Sequence, residues 1–448
     1  MSFVTSTWRG LPIEAKVIAI LVPIAAVLGG VVSAAVWFGG PPLLDFLGAN
    51  LPLVRFVIAA TAIIVMTVPI AFLIIYLELK VIARMNLRVG PNRVGPWGAA
   101  HSVVHGLKVL VKEDFSPTGT DKVVFTLAPV VTFMASVMTL LVVPFAPGLF
   151  GQDFNIGLLY FFAMGGLTVV GLLMGGWSSF NKYSLLGGLR SAAQMVSYEI
   201  PLTLSVVGVI MLAGSMSTNH IVAAQSGSVL DWFVFKQPLG ALIFFIAATA
   251  EANRTPFDMT EADSEIVAGF ATEYSGMRFG FFFFAEYVNV FIVSAITTTI
   301  FFGGWTAPFQ WPLAWNLDWI PSSPLTPIWI FAIPGIILIG GEILAVPVKL
   351  IGGRDWGYWD VAIMGILISG MLVTALLGFL AFVALDPVRG IFWFFAKTFA
   401  FVFVFIWMRA TLPRVRVDQL MGFAWKWLLP ASLLNLFATA TAVVILNR

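Results

Sequence analysis

Eleven stretches of this chain are too long and too apolar to fold in water: 16–38, 55–82, 122–147, 154–177, 194–214, 237–252, 276–303, 328–346, 359–385, 389–410 and 426–446. A bilayer-spanning helix needs about 20 predominantly apolar residues, and all but the short 237–252 reach that length. Backbone amides in lipid must be paired internally, which leaves an all-α polytopic membrane protein as the expected fold class. Only 10% of the 448 residues are charged, against about 25% in soluble domains. No cleavable signal peptide is evident, and 11–38 is long enough to remain as an anchor.

The charges test this count. With the amino terminus in the cytoplasm, Arg55, Lys236, Arg389 and Arg448 fall outside and Lys397 falls within a span. The remaining 19 of the 24 basic residues then lie inside, the skew that the positive-inside rule requires. One misplaced helix would scramble it.

Two inner loops stand out. In the first, 83–121, Val104, Leu107, Leu110 and Val111 recur at helical spacing, with His101, His105, Lys108 and Lys112 opposite. This predicts an amphipathic helix near 98–112, lying on the membrane surface or against a partner. His101 and His105 stand at i,i+4, a spacing that can hold a metal, but no third ligand is near and no metal is expected. Upstream, Arg88-Val-Gly-Pro-Asn-Arg93-Val-Gly-Pro96 is a rigid turn that presents two guanidinium forks. It lacks the Lys-Ser/Thr of a phosphate loop.

The second loop, 251–275, carries Glu251, Asp258, Glu261, Asp263, Glu265 and Glu273, six of only 22 acidic residues. Carboxylates beside hydrocarbon are costly and generally mark a functional path. Glu199, Glu251 and Glu286 stand at related depth in three spans, near the same face, and could form one polar file for protons. The alternative is structural pairing with Arg190, Arg254 or Arg278. Glu342, after Gly340-Gly341, could be a second polar site or a partner for Lys349. The absence of cysteine excludes thiolate-bound iron–sulfur clusters, disulfides and cysteine nucleophiles within the chain.

Five long motifs stand in order: Arg88 to Pro96, Gly176 to Arg190, Ser197-Tyr-Glu-Ile-Pro201, Ala250 to Asp258 and Arg409-Ala-Thr-Leu-Pro-Arg414. On these the chain resembles the family of quinone-site membrane subunits, the H subunits, of bacterial NADH–quinone oxidoreductase, respiratory complex I. The resemblance covers roughly 55–315 and 389–446. It implies an enzyme subunit without a redox centre of its own. Quinone is implied as substrate with no covalent cofactor, and flavin and iron–sulfur clusters are implied only in partner subunits. By the same resemblance, Glu199, Glu251 and Glu286 match the proton pathway. Asp258, Glu261, Asp263, Glu265 and Glu273 match the acidic coupling loop. Arg88, Arg93, His101, His105, Arg190, Arg254 and Arg278 fall to the quinone chamber and subunit docking.

The implied partners are the quinone-site peripheral-arm subunits, adjacent small membrane subunits and the lipid bilayer, with no nucleic acid. The implied location is the bacterial inner (plasma) membrane. Two other readings remain: the membrane anchor of an energy-converting hydrogenase, and a secondary transporter. No internal repeat of the kind common in transporters is seen.

The chain also departs from the family pattern. Glu78-Leu79-Lys80 stands where Glu-Arg-Lys is usual, and His101 and His105 replace a glutamine and an aspartate. The expected organisation is an extra span within 1–54, a core at 55–315, a two-helix insertion at 316–388 and carboxy-terminal core helices at 389–448. Packing against a neighbouring subunit or lipid is the expected role of the added spans.

Overall fold

The computed structural model describes residues 51–258, 268–308 and 386–446, apart from positions 148, 150 and 152. The expected spans 16–38, 328–346 and 359–385, with Glu342, Lys349, Glu261, Asp263 and Glu265, lie outside the described residues. Contacts divide the chain at Ala59/Ala60. Of the first unit only Leu51–Ala59 is described, as helix.

The described elements are helical: α1 (Leu51–Met85), α2 (His101–Val111), α3 (Lys122–Thr139), α4 (Gly157–Ser178), α5 (Lys182–Ala213), α6 (Thr218–Ala223), α7 (Pro238–Glu251), α8 (Gly276–Phe301), α9 (Asp386–Thr411), α10 (Val417–Phe423) and α11 (Leu429–Leu446). Seven stretches are long and apolar enough to cross a membrane: those of α1, α3, α4, α5, α8 and α9, and the continuous Val417–Ile445. The shorter α7 is apolar as well, so the eight spans expected for the core are all helices. α5 starts at Lys182, three turns before the expected 194, because Asn181 caps it by accepting from the Tyr183 amide. It ends where Gly214 takes φ 69° and returns its amide to the Ile210 carbonyl, the left-handed stop that glycine adopts without strain. The last span begins at Val417 rather than 426, with α10 joined to α11 by a π turn over Ala424–Leu428.

α8 is the spine. From Val290 to Phe301 every residue is buried, and a ladder of hydroxyls lies within that stretch. Ser294, Thr297, Thr298 and Thr299 each return a hydrogen bond to the carbonyl four residues earlier, which hides their polarity from the apolar surroundings. α3 packs on α4, α4 on α5, and α5 on α7 and α11. Aromatic contacts join α8 to α9, with Phe291 beside Phe395 and Phe399.

Helix ends assigned to one side of the membrane by charge meet in space. Arg409, at the end of α9, reaches Glu78 near the end of α1. The Val415 amide beyond α9 donates to the Pro256 carbonyl beyond α7. Arg278, at the start of α8, pairs with Asp114 after α2. At the other end of the bundle, Lys397 meets the turn that follows α8.

Candidate functional site

The polar site is built where α1, α5, α7, α8 and α9 carry their few charged residues, with the uncharged α4 packed against them. Glu78 is buried and stands between two cations: Arg409 Nη1 at 2.5 Å from Oε1 and Arg254 Nη1 at 3.6 Å from Oε2. The Arg254 guanidinium also covers the Tyr287 ring, 4.3 Å from its centroid. Next to it, Arg414 Nη2 donates to Asp258 Oδ2 at 3.0 Å. Arg409 in the last turn of α9 and Arg414 in the turn beyond it thus hold acids from α1 and from the loop after α7.

Gln194 of α5 fixes that loop. Its Nε2 donates to the carbonyls of Ala250 at 2.7 Å and Phe257 at 2.8 Å, tying the last turn of α7 to the chain that leaves it. Tyr198, one turn later and buried, donates to the Leu420 carbonyl of α10 at 2.9 Å. These amide and phenol bonds hold Glu251 and Glu199 in place from both sides.

Two adjacent glycines of α4 face the two acids. A β-carbon on Gly165 would lie 2.9 Å from Glu251 Oε1, and one on Gly166 would lie 3.9 Å from Glu199 Oε1. Glu199 and Glu251 thus both approach one stretch of α4. Glu251 Oε2 is buried with no hydrogen-bond partner among the described residues, and a cavity of about 30 Å³ opens beside it, lined among others by Thr139, Thr168 and Asn289. Glu286 lies one turn before Asn289 on α8 and is half-buried.

At one end of the acidic loop, Glu273 accepts from Asn181 Nδ2 at 2.5 Å, which ties that end to the cap of α5. Arg278 is committed to Asp114 at 3.1 Å and lies over the Phe125 ring, and Arg190 is half-buried on α5. Arg88 and Arg93 are exposed in the turn after α1, where the Arg88 amide closes the helix on the Ala83 carbonyl at 2.8 Å. No group of three metal-ligating residues occurs among the described residues.

α2 is a helix at the expected place, and its large apolar residues are left for the membrane surface or a partner rather than for the bundle. Ser102, Gly106 and Val109 bring it against the bundle. Ser102 is buried, and a β-carbon on Gly106 would lie 2.8 Å from the Phe72 ring. Val104, Leu107 and Val111 remain exposed. The close seat at Gly106 leaves a second, larger cavity of about 440 Å³ between α1, α2, α3 and α8. Its walls are Ile64, Val68, Phe72, Phe133, Phe281 and Phe284, and His105 is a rare polar group on them. His105 is exposed, and its ring lies 6.4 Å from that of Phe283 at the edge of this cavity.

Glu78 is the main residue that sequence reasoning passes over as a site. The available signal is an acid inside an apolar span, with Arg254 and Arg409 each near the end of another. Lys397 carries the same kind of signal.

Comparison with known proteins agrees along most of the chain. The family model described as NADH dehydrogenase matches residues 57–440. Among curated proteins, the NADH-quinone oxidoreductase H subunit of Geobacillus kaustophilus is 44% identical over 364 residues, 81% of this chain and 86% of that protein. The H subunit of Dehalococcoides mccartyi strain CBDB1 is 42% identical over 83% of this chain and 82% of its own length. That of Brevibacillus brevis is 41% identical over 87% and 93%.

Proposed function

The chain belongs to the H-subunit family of NADH–quinone oxidoreductases, and from that premise we propose that it forms part of the quinone chamber and begins the carboxylate pathway that couples quinone reduction to proton transfer. It is a membrane subunit of a complex I-type oxidoreductase, and other complex I subunits are its partners. The peripheral-arm subunits and small membrane subunits that contact it, the inner-membrane location and a cytoplasmic amino terminus are part of this proposal.

The observation that carries the reading is the 440 Å³ apolar cavity with His105 on its wall. Ligand cavities are mostly apolar and carry a small number of placed polar groups that fix orientation. A quinone has that profile: an apolar ring and tail, and two carbonyl oxygens that accept hydrogen bonds. His101 and His105 stand where the family commonly has glutamine and aspartate, so an imidazole replaces a carboxylate on the ligand's route. Arg88 and Arg93, on the exposed turn before α2, are suited to the acidic surface of a docking subunit.

In operation, quinone takes two electrons from a partner's iron–sulfur cluster and two protons, and becomes quinol. The altered charge near Arg254, Glu78 and the 251–273 acids shifts proton occupancy along Glu286, Glu251 and Glu199. Asp258 and Glu273, with Glu261, Asp263 and Glu265 between them in sequence, form the acidic loop that passes the change from chamber to path.

A photoreactive quinone analogue tests the chamber in membranes that hold the assembled complex. Labelling of 102–110 and 277–284, suppressed by excess quinone, is the expected result. Labelling elsewhere in the chain only, or labelling that excess quinone leaves unchanged, would sink it. For the path, Glu251→Gln is expected to assemble and lose coupled turnover.

A further inference from the structure

We infer that Asn289 is a positioning residue that holds a pair of water molecules against Glu251, so that the carboxylate exchanges protons through water rather than through a direct side-chain contact. This rests on the proton-pathway reading above and adds the group that makes Glu251 usable in it.

Three observations carry it. Glu251 Oε2 is buried with no hydrogen-bond partner among the described residues. A buried ionisable oxygen without a partner costs several kcal/mol in principle, so a protein or solvent donor is expected. The cavity beside it measures about 30 Å³. One water needs roughly 10–15 Å³ on this measure and two to four polar partners, so the space suits about two. The lining supplies Glu251, Thr139, Thr168 and Asn289, whereas cavities that stay dry are lined by apolar groups alone.

The donor inventory then singles out Asn289. The Thr139 hydroxyl donates to the Ala135 carbonyl at 2.9 Å and the Thr168 hydroxyl to the Met164 carbonyl at 3.3 Å. Both therefore face the cavity as acceptors, and an ionised Glu251 is an acceptor too. The other lining side chains are apolar. The Asn289 amide N–H is thus the fixed side-chain donor available to orient the waters. Its amide oxygen adds an acceptor, so one residue serves both protonation states. With Glu251 ionised, Asn289 donates to a water, which donates to Oε2. With Glu251 protonated, its O–H donates to that water, which in turn donates to the amide oxygen. Asn289 is three residues beyond Glu286 on α8, a spacing that places both on one helix face. The waters therefore lead from Glu251 toward the face that carries Glu286.

The test uses the assembled complex. A cryo-EM map fine enough to show water is expected to contain two ordered waters between Glu251 and Asn289, and none in Asn289→Leu. Quinone reductase turnover in Asn289→Leu is expected to fall about tenfold or more, with the complex assembled and artificial-acceptor activity of the electron-input module unchanged. Asn289→Ser, which keeps a donor and an acceptor, is expected to stay within about twofold of the native rate. An empty cavity in the native map overturns the inference, as does Asn289→Leu with native turnover and native protons pumped per electron. Glu251→Gln separates the two readings. Native pumping by that variant removes the pathway, while the map alone decides whether the waters are there.

Discussion

Gly165 of α4 and Glu251 of α7 approach so closely that a β-carbon on residue 165 would lie 2.9 Å from the carboxylate oxygen Oε1. The obstructed atom is the far end of a flexible side chain, so an added methyl moves the acid and not the backbone. Gly165→Ala is expected to assemble normally, since exchanging glycine for alanine inside a helix favours it by about 0.5–1 kcal/mol. Quinone reductase activity is nevertheless expected to fall several-fold, because the carboxylate is pushed from its place. Comparing the thermal midpoint with turnover in one preparation checks this. Activity retained at the native level would mean that the position of Glu251 is not critical.

Glu78 is expected to be chiefly a folding determinant. It is buried between Arg409 and Arg254, and neutralising it leaves two arginines facing each other without the acid they share. Removing one partner of a buried ion pair typically costs about 3–5 kcal/mol. The lower end applies here, because Arg409 is partly exposed. Glu78→Gln is expected to reduce the yield of assembled complex, and Arg409→Leu to do so less. Equal yields for Glu78→Gln and the native protein would place the stabilisation elsewhere.

Tyr274, in the loop before α8 and outside the candidate spans, gives a pH dependence. Its ring stacks on Phe125 with centroids 4.0 Å apart, and its hydroxyl donates to the Phe125 carbonyl at 3.0 Å. Burial pushes the phenol up to about 12, opposed by a hydrogen bond from Ser178 and the nearby Arg278. A raised phenol means that the folded state keeps its proton longer than the unfolded state. The stabilisation is therefore complete below pH 10 and lost as pH rises from 10 toward 12. Alkaline denaturation followed at 295 nm should show Tyr274→Phe to be less sensitive across that window. Identical curves would mean that Tyr274 ionises as freely as an exposed phenol.

Span number and most span boundaries in the core are legible in the sequence because lipid permits little besides helix, and long apolar runs announce it. Glu199 and Glu251 are legible for the same reason: an acid in such a run stands out. Their shared seat on Gly165 and Gly166 is not, because glycine in a membrane helix carries no distinguishing chemistry until its neighbour is known. The face by which α2 meets the bundle is not legible either. Hydrophobic periodicity assumes that the apolar face is the packed one. Here Ser102 and Gly106 allow the closest approach, and the larger residues instead line a cavity or remain exposed. Near a bilayer, apolar exposure carries no penalty that would reveal the inner face.

Lys397 shows how a charge in a span can be structural. Its ammonium donates to the carbonyls of Phe302 at 2.7 Å, Gly304 at 3.0 Å and Thr306 at 2.7 Å, and lies 4.3 Å from the centre of the Trp232 ring. An ammonium has three donors, and all are used. Hydrogen bonds to charged groups contribute about 1.5–3 kcal/mol each, net of the bonds to water they replace, and the cage holds the end of α8 to α9. Lys397→Met is expected to lower the thermal midpoint of the complex and raise protease cleavage near 302–306, with the KM for quinone unchanged. Lys397→Arg should not rescue it, since a planar fork cannot address three converging carbonyls. A variant with native stability and altered proton pumping would reverse the assignment and make Lys397 part of the charge path.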